Sequence, residues 1–273
     1  MMNPISNTAY YTLGVRAWDA VQAKPACGDT FASLFMNVHA QKIWSEFKDD
    51  TKPNASTASR HAIIDNQLRQ VIRTAPYSRV VIIGAGFDTR CFRLKGGNWI
   101  EVDEPSIINY KESILPSSTA PNSLVRIPIE FGRELLSEKL KPFSTSLKTH
   151  IVIEGVFMYL KSDERESLIT VLQKMFPNHI IYCDLMRKSF FESYSKKLHD
   201  KIVSLGASFR EMSEYPESFF LQKGYTTLSS TSIPLYAAEH GNLDVPAFLI
   251  RYIFKRLRNG YAIWRLEISG QKT

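Results

Sequence analysis

Val80-Val81-Ile82-Ile83-Gly84-Ala85-Gly86-Phe87-Asp88-Thr89-Arg90 is the stretch on which the reading of this chain turns. Four consecutive apolar residues, all β-branched, make a strand buried on both faces, the kind found inside a parallel sheet. It runs into Gly84-Ala85-Gly86, a tight turn whose backbone a ligand can approach because neither glycine carries a Cβ. Short apolar runs recur at Trp99 to Val102, Leu124 to Ile129, His150 to Ile153 and His179 to Cys183, with room between them for crossover helices or loops. That alternation implies an α/β fold: a doubly wound, mostly parallel sheet that binds ligands at the carboxyl ends of its strands. Tyr225 to Thr231 and Tyr261 to Ile268 are rich in β-branched and aromatic residues. They are expected to pair as an antiparallel edge and bring the sheet to seven strands.

Working outward, residues 1–75 read as helical, with Phe31, Leu34, Phe35 and Val38, and then Ile64, Leu68, Val71 and Ile72, at helical spacing. The intervening stretch DDTKPNAST clusters Pro, Asn and Ser and reads as a loop. The segment 187–224 is too long for a simple crossover, and Phe190 to Leu205 within it is helical in pattern, which suggests a cap over the site. The 273 residues therefore divide, within one expected domain, into an N-terminal helical part (1–75), a nucleoside-binding core (79–184), a cap insertion (187–224) and C-terminal strands (225–273).

Asp103 ends the second apolar strand, about 20 residues beyond the glycines, where an acid accepts both hydroxyls of a ribose. The competing reading is an Asp that caps the helix starting near Glu104-Pro105. The glycine turn, read alone, equally suits a helix that only packs on the sheet. A dinucleotide fingerprint needs a third small residue so that a pyrophosphate reaches the helix N-terminus, and Thr89 stands there instead. Adenosylmethionine has no phosphate, so the departure weighs against NAD and towards S-adenosyl-L-methionine.

Ile83-Gly84-Ala85-Gly86-Phe87-Asp88-Thr89-Arg90, Arg93-Leu94, Glu101-Val102-Asp103-Glu104-Pro105 with Lys111, and Glu154-Gly155-Val156-Phe157-Met158-Tyr159-Leu160 together closely resemble the leucine carboxyl methyltransferase family. That family also includes bacterial carboxyl O-methyltransferases of polyketide biosynthesis. Thr8-Ala9, Arg16-Ala17, Ser59-Arg60 and Asp65 look like its N-terminal signature, so the resemblance covers about residues 7 to 160. It implies a Rossmann-like class I methyltransferase fold, with S-adenosyl-L-methionine as cofactor and S-adenosyl-L-homocysteine as product. It further implies that Arg60 pairs with the carboxylate of the methionine moiety, that Gly84, Ala85 and Gly86 line the cofactor, and that Asp103 holds the ribose. Arg suits a carboxylate because its planar fork bonds both oxygens. Glu130-Phe131 stands where members carry Asp-Leu or Asp-Phe beside the adenine, with a longer acidic side chain. Glu154 is expected to face the cofactor's amino group or sulfonium, or else to cap the next helix. Tyr159 is a candidate to line the acceptor pocket, the alternative being a core aromatic.

The sequence contains no metal-ligand spacing among its six histidines and no evident Ser-His-Asp set. Methylation of an ionised carboxylate requires alignment and desolvation but no base, so the expected activity is carboxyl O-methylation of an acidic small molecule or protein. Arg16 is a candidate to attract that acceptor. Carboxyl methylation of a modified tRNA base and a non-catalytic adenosylmethionine-binding module are the alternatives, and an NAD-linked oxidoreductase is a distant third. The net charge of +7 favours anionic partners, and Arg251, Lys255 and Arg258 fall at the spacing of a basic helical stripe, which reads more readily as a solvated face than as a binding patch. No nucleic-acid motif accompanies them. The longest apolar runs are too short to cross a bilayer, the sequence MMNPISNTAY shows no signal core, and Cys27, Cys91 and Cys183 read as reduced thiols. A cytoplasmic protein with no membrane partner is expected.

Overall fold

The computed structural model describes residues 6–268. The extreme ends of the N-terminal and C-terminal segments read above lie outside the described residues. The chain opens with α1 (Ser6–Asp19), α2 (Val38–Phe47) and α3 (Thr51–Thr74). It then alternates β1 (Arg79–Ile83), the short α4 (Arg90–Arg93), β2 (Asn98–Asp103), α5 (Pro105–Ile114), β3 (Ser123–Pro128), α6 (Leu136–Leu140), β4 (Thr149–Ile153), α7 (Ser162–Met175) and β5 (His179–Met186). The cap follows, with α8 (Lys188–Phe190), a single π-helical turn (Phe191–Ser195), α9 (Lys196–Ser204) and α10 (Ser218–Gln222). After β6 (Thr226–Ser232), α11 (Ile233–Glu239), α12 (Ala247–Tyr252) and α13 (Lys255–Gly260) make an excursion before β7 (Tyr261–Ile268).

The seven strands lie in the order β3-β2-β1-β4-β5-β7-β6. The pairs from β3 to β5 are parallel, whereas β7 runs antiparallel to both β5 and β6. The order reverses between β1 and β4, and a crevice opens there at the carboxyl ends of the strands. Alternation along β1 divides the core: Val81 and Ile83 pack with Leu168, Ile169 and Leu172 of α7, while Val80 and Ile82 pack with Ile64, Leu68 and Ile72 of α3. Each such fully buried aliphatic side chain contributes about 1.5–3 kcal/mol, which is why these apolar runs cannot be loops. A third cluster joins α1, α2 and the cap, with Phe35, Phe87, Tyr159, Ile202 and Phe209 among its members.

Three expectations are corrected. DDTKPNAST is mostly helix, since α3 begins at Thr51. Pro53 falls in its first turn, where the missing N–H would have had no intrahelical partner anyway. Phe31 to Val38 forms a 3-10 turn and the start of α2, with Leu34 and Val38 exposed, so the apparent helical stripe was a coincidence of spacing. The basic stripe is split between α12 and α13, because Phe254 leaves helical geometry at ψ 60° and breaks the register of Arg251 with Lys255 and Arg258.

Candidate active site

The glycine turn is built from its backbone. Gly84 and Gly86 hold φ of +68° and +47°, which side-chain-bearing residues rarely adopt, and a Cβ on Gly84 would stand 2.6 Å from Val156 Cγ2. The turn is held to the next strand by Asp103, whose Oδ2 accepts the Gly86 amide at 2.5 Å while Oδ1 accepts the Glu104 amide at 2.6 Å. Asp103 thus bonds the amide of Glu104, the N-cap residue of α5, without capping that helix by its side chain, and it also lines the crevice. Burial raises its carboxyl to about 6, against the opposing pull of the two amides.

The crevice holds a cavity of about 720 Å³, within the range of small-molecule sites. Gly84, Ala85, Gly86, Asp103 and Phe131 line one end; Arg60, Glu154, Arg16 and Tyr159 line it further along. Glu130 does not reach it. That side chain is half exposed and bonded to Arg133 at 2.9 Å, so Phe131 is the member of the pair that faces the cavity.

Arg60 rises from α3, buried, and is held on three sides. Its Nε donates to Glu154 Oε1 at 3.1 Å, and its Nη1 donates to Asp184 Oδ2 at 3.1 Å and to the Tyr261 hydroxyl at 3.0 Å. Its other nitrogen, Nη2, has no hydrogen-bond partner among the described residues; a Cβ on Gly155 would stand 3.0 Å from it. Burial would weaken the Arg60 charge, but Tyr261, Asp184 and Glu154 outweigh it and hold the guanidinium ionised. One donor thus remains free for an anion, on a side chain whose position is otherwise fixed.

Behind Arg60 lies a buried ionic network. Arg90, fully buried, bonds Asp65 at 2.6 Å, Asp88 at 2.5 Å, and Glu154 and His61 at 2.8 Å each. Arg93 bridges Asp65 at 2.5 Å and His61 at 2.8 Å, and Arg16 closes on Asp29 at 2.6 Å and on the Phe87 carbonyl at 3.1 Å. Burial alone would raise the Glu154 carboxyl, yet Arg90, His61 and Arg60 hold it well below the usual range. Two expectations change in content. Arg16 spends its terminal nitrogens tying α1 to the glycine turn, and Glu154 is satisfied by Arg60, Arg90 and His61, although both still line the cavity. His61, Asp88 and Glu154 come close enough to bind a cation, and the Arg90 guanidinium contacts all three and occupies that role. Thr89, the departure from a dinucleotide fingerprint, donates to Asp29 at 2.6 Å and belongs to the same network.

Two members escaped the sequence reading. Asp184 accepts the Gly155 amide at 2.6 Å and the Tyr261 hydroxyl at 2.7 Å. An acid inside the apolar run of β5 was its available signal. Tyr261 had none, since only the reversed direction of β7 brings its first residue to the cleft.

The far end of the cavity is apolar. The cap contributes Phe190, Leu198, Ile202 and Phe209, and the excursion between β6 and β7 contributes Leu243 and Leu257. Tyr159 stands at this border, edge-on to Phe209 with ring centroids 5.3 Å apart.

The comparisons with known proteins agree with this geometry. Residues 9–173 match the family model of leucine carboxyl methyltransferase. Relatives provisionally named S-adenosyl-L-methionine-dependent methyltransferases occur in Mycobacteroides abscessus (24% identity over 194 residues) and Mycolicibacterium paratuberculosis (28% over 193 residues). Each alignment covers 62% of this chain, and the chain spans about 60% of the length of these curated relatives. Among solved structures, a DUF574 family protein from Streptomyces avermitilis superposes with a TM-score of 0.61 at 8% identity, covering 94% of this chain and 97% of that one. A protein from Thermobifida fusca, provisionally named a methyltransferase, superposes with a TM-score of 0.55 at 11% identity, covering 94% of each. These likenesses establish a Rossmann-like class I methyltransferase fold, and the family match, which spans more than half of the chain, establishes that it belongs to the leucine carboxyl methyltransferase family.

Proposed function

We infer that this chain is an S-adenosyl-L-methionine-dependent O-methyltransferase acting on a carboxylate of a small molecule or protein. The observation that carries the reading is the pairing of Arg60 Nη2, a fixed and unpartnered donor, with the Asp103 carboxylate across one cavity. The first suits the carboxylate of an amino-acid moiety and the second suits the hydroxyls of a ribose, with the open backbone of Gly84 to Gly86 between them. Phe131 offers an apolar face for the adenine.

When bound, the cofactor supplies a methyl group on a sulfonium, already activated for in-line displacement. The chain's part is positioning. Arg60 anchors one end, Asp103 the other, and Asp184 and Tyr261 keep Arg60 from rotating. Phe209 and Tyr159 exclude water from the acceptor end, which leaves an incoming carboxylate less solvated and more nucleophilic. The role foreseen for Arg16, drawing in the acceptor, passes to the apolar walls, because its guanidinium is committed to Asp29 and Phe87. An acceptor with an apolar body fits those walls better than a polyanion does.

The test is transfer of label from methyl-tritiated adenosylmethionine to a panel of carboxylic acids, followed by mild alkaline hydrolysis. Base-labile counts recovered as methanol identify a methyl ester, whereas base-stable label refutes the carboxylate acceptor.

A further inference from the structure

The excursion between β6 and β7 has an outer surface that the methyl-transfer reading does not use. From Phe248 to Arg256 it exposes four large apolar side chains, Phe248, Tyr252, Ile253 and Phe254, each between 42% and 68% accessible. Arg251, Lys255 and Arg256 are exposed among them. Surface leucines and phenylalanines scattered singly need no explanation, but four within seven residues form a patch of the sort that marks an interaction site. The break at Phe254 lets α12 and α13 present apolar and basic side chains side by side. Arg251 is paired with Glu239, and Arg258 is turned onto the Arg251 carbonyl at 2.6 Å. The Lys255 side chain has no partner among the described residues, and Arg256 makes one hydrogen bond, to Ser193 Oγ at 3.3 Å, while lying within electrostatic reach of Glu214.

We propose that this face docks on an anionic phospholipid surface. Aromatic and aliphatic side chains flanked by lysine and arginine are what an interfacial helix uses: the apolar groups enter the boundary between headgroups and acyl chains, and the cations meet the lipid phosphates. Nucleic acid would be served by the cations and by stacking on the aromatic rings, but it gives the aliphatic Ile253 nothing to bury against, whereas a lipid boundary takes all four apolar side chains. The inner side of the same excursion supports a lipid partner, because Leu243, Val245 and Leu257 line the apolar end of the cavity. One short stretch of chain therefore separates the docking face from the acceptor lobe, and a lipophilic molecule leaving the bilayer would reach that lobe next. No described helix is long and apolar enough to cross a membrane, so the attachment is peripheral.

Cosedimentation of the full chain with vesicles tests the proposal, comparing pure phosphatidylcholine with a phosphatidylcholine and phosphatidylglycerol mixture. Binding to the mixture and not to the neutral vesicles, weakened by salt, is the expected result. The double variant Phe248→Ser, Ile253→Ser and the double variant Lys255→Glu, Arg256→Glu are each expected to lose binding about tenfold or more. All four positions are exposed and outside the cavity, so the melting temperature and adenosylhomocysteine affinity should stay at wild-type values, which separates loss of docking from loss of folding. The proposal is overturned by equal binding to both vesicle types, by no binding to either, or by unchanged binding in both variants. A serine variant that converts a dimer to a monomer would likewise overturn it by assigning the face to a second copy of the chain, and competition by tRNA would reassign it to nucleic acid.

Discussion

The two ends of the cavity are made by different means. The end proposed above for the cofactor is made by strand tips and is polar: Gly84 and Gly86 follow β1, Asp103 ends β2 and Glu154 follows β4, with Asp184, near the end of β5, bonded to Arg60. The end proposed for the acceptor is made by segment 187–224 and by the excursion before β7, and it is apolar. Strand tips are fixed by the sheet, so the cofactor end works through a few charges held in place by many bonds. The acceptor end works through area, where no single contact matters much and the shape is free to change without disturbing the sheet.

Replacing Arg90 by Leu should produce the largest effect. It strips Asp88 of its cation and takes one partner each from Asp65 and Glu154, which keep Arg93 and Arg60, and breaking a buried pair of this kind costs about 3–5 kcal/mol. Denaturant unfolding measures it, and a loss below about 1 kcal/mol would show that the network is dispensable. Ile202→Ala probes the other end. Loss of a buried aliphatic side chain should cost about 2–4 kcal/mol of stability while leaving adenosylhomocysteine affinity unaltered by calorimetry, since Ile202 lies in the apolar lobe. A parallel drop in affinity would mean that the two ends are not separable.

Asp103→Ala is expected to weaken adenosylhomocysteine roughly 10- to 100-fold, the worth of a charge-assisted hydrogen bond to the ribose. The acid also carries a pH signature. Its carboxyl is raised to about 6, and the ionised form is the better acceptor for hydroxyl donors. Affinity should therefore be level above about pH 7 and fall as pH drops through 6, by up to about tenfold per unit, with Asp103→Asn flattening the profile. An unchanged profile in that variant assigns the titration elsewhere. The smallest effect is expected at Glu130→Ala, a change at an exposed position that should shift binding by less than about 0.5 kcal/mol. A larger loss would return Glu130 to the adenine site.

Much of the cofactor end was legible in the sequence for a local reason. A run of β-branched residues ending in Gly-x-Gly is a strand and a turn wherever it occurs, and the acid ending the next strand follows from the same geometry. The misreadings were equally local: Pro53 resembles a loop signal unless its place in the first helical turn is known, and Phe31 to Val38 has the period of a helix with its side chains on the wrong faces. Within residues 233–260 only the basic stripe was read as helical, and as one continuous face; the three helices there are short and broken. Satisfaction of side chains was beyond any local pattern. Nothing near Arg16 in sequence announces Asp29 and Phe87 as its partners, and nothing near Glu154 announces Arg90.

The reversal of β7 sets an order of assembly. Tyr261 meets Arg60 across 201 residues of chain, so the bonding around Arg60, the proposed anchor, is complete only after every other strand has been made. A growing polypeptide that already holds β1 to β5 possesses Arg60 and Asp184, which bond each other directly, yet lacks the hydroxyl that braces both. Contacts so distant in sequence form late, after local helices and neighbouring strands. On the proposed function, tight capture of the methyl donor would therefore report that the last strand has closed, and an intermediate without it would hold Arg60 less firmly.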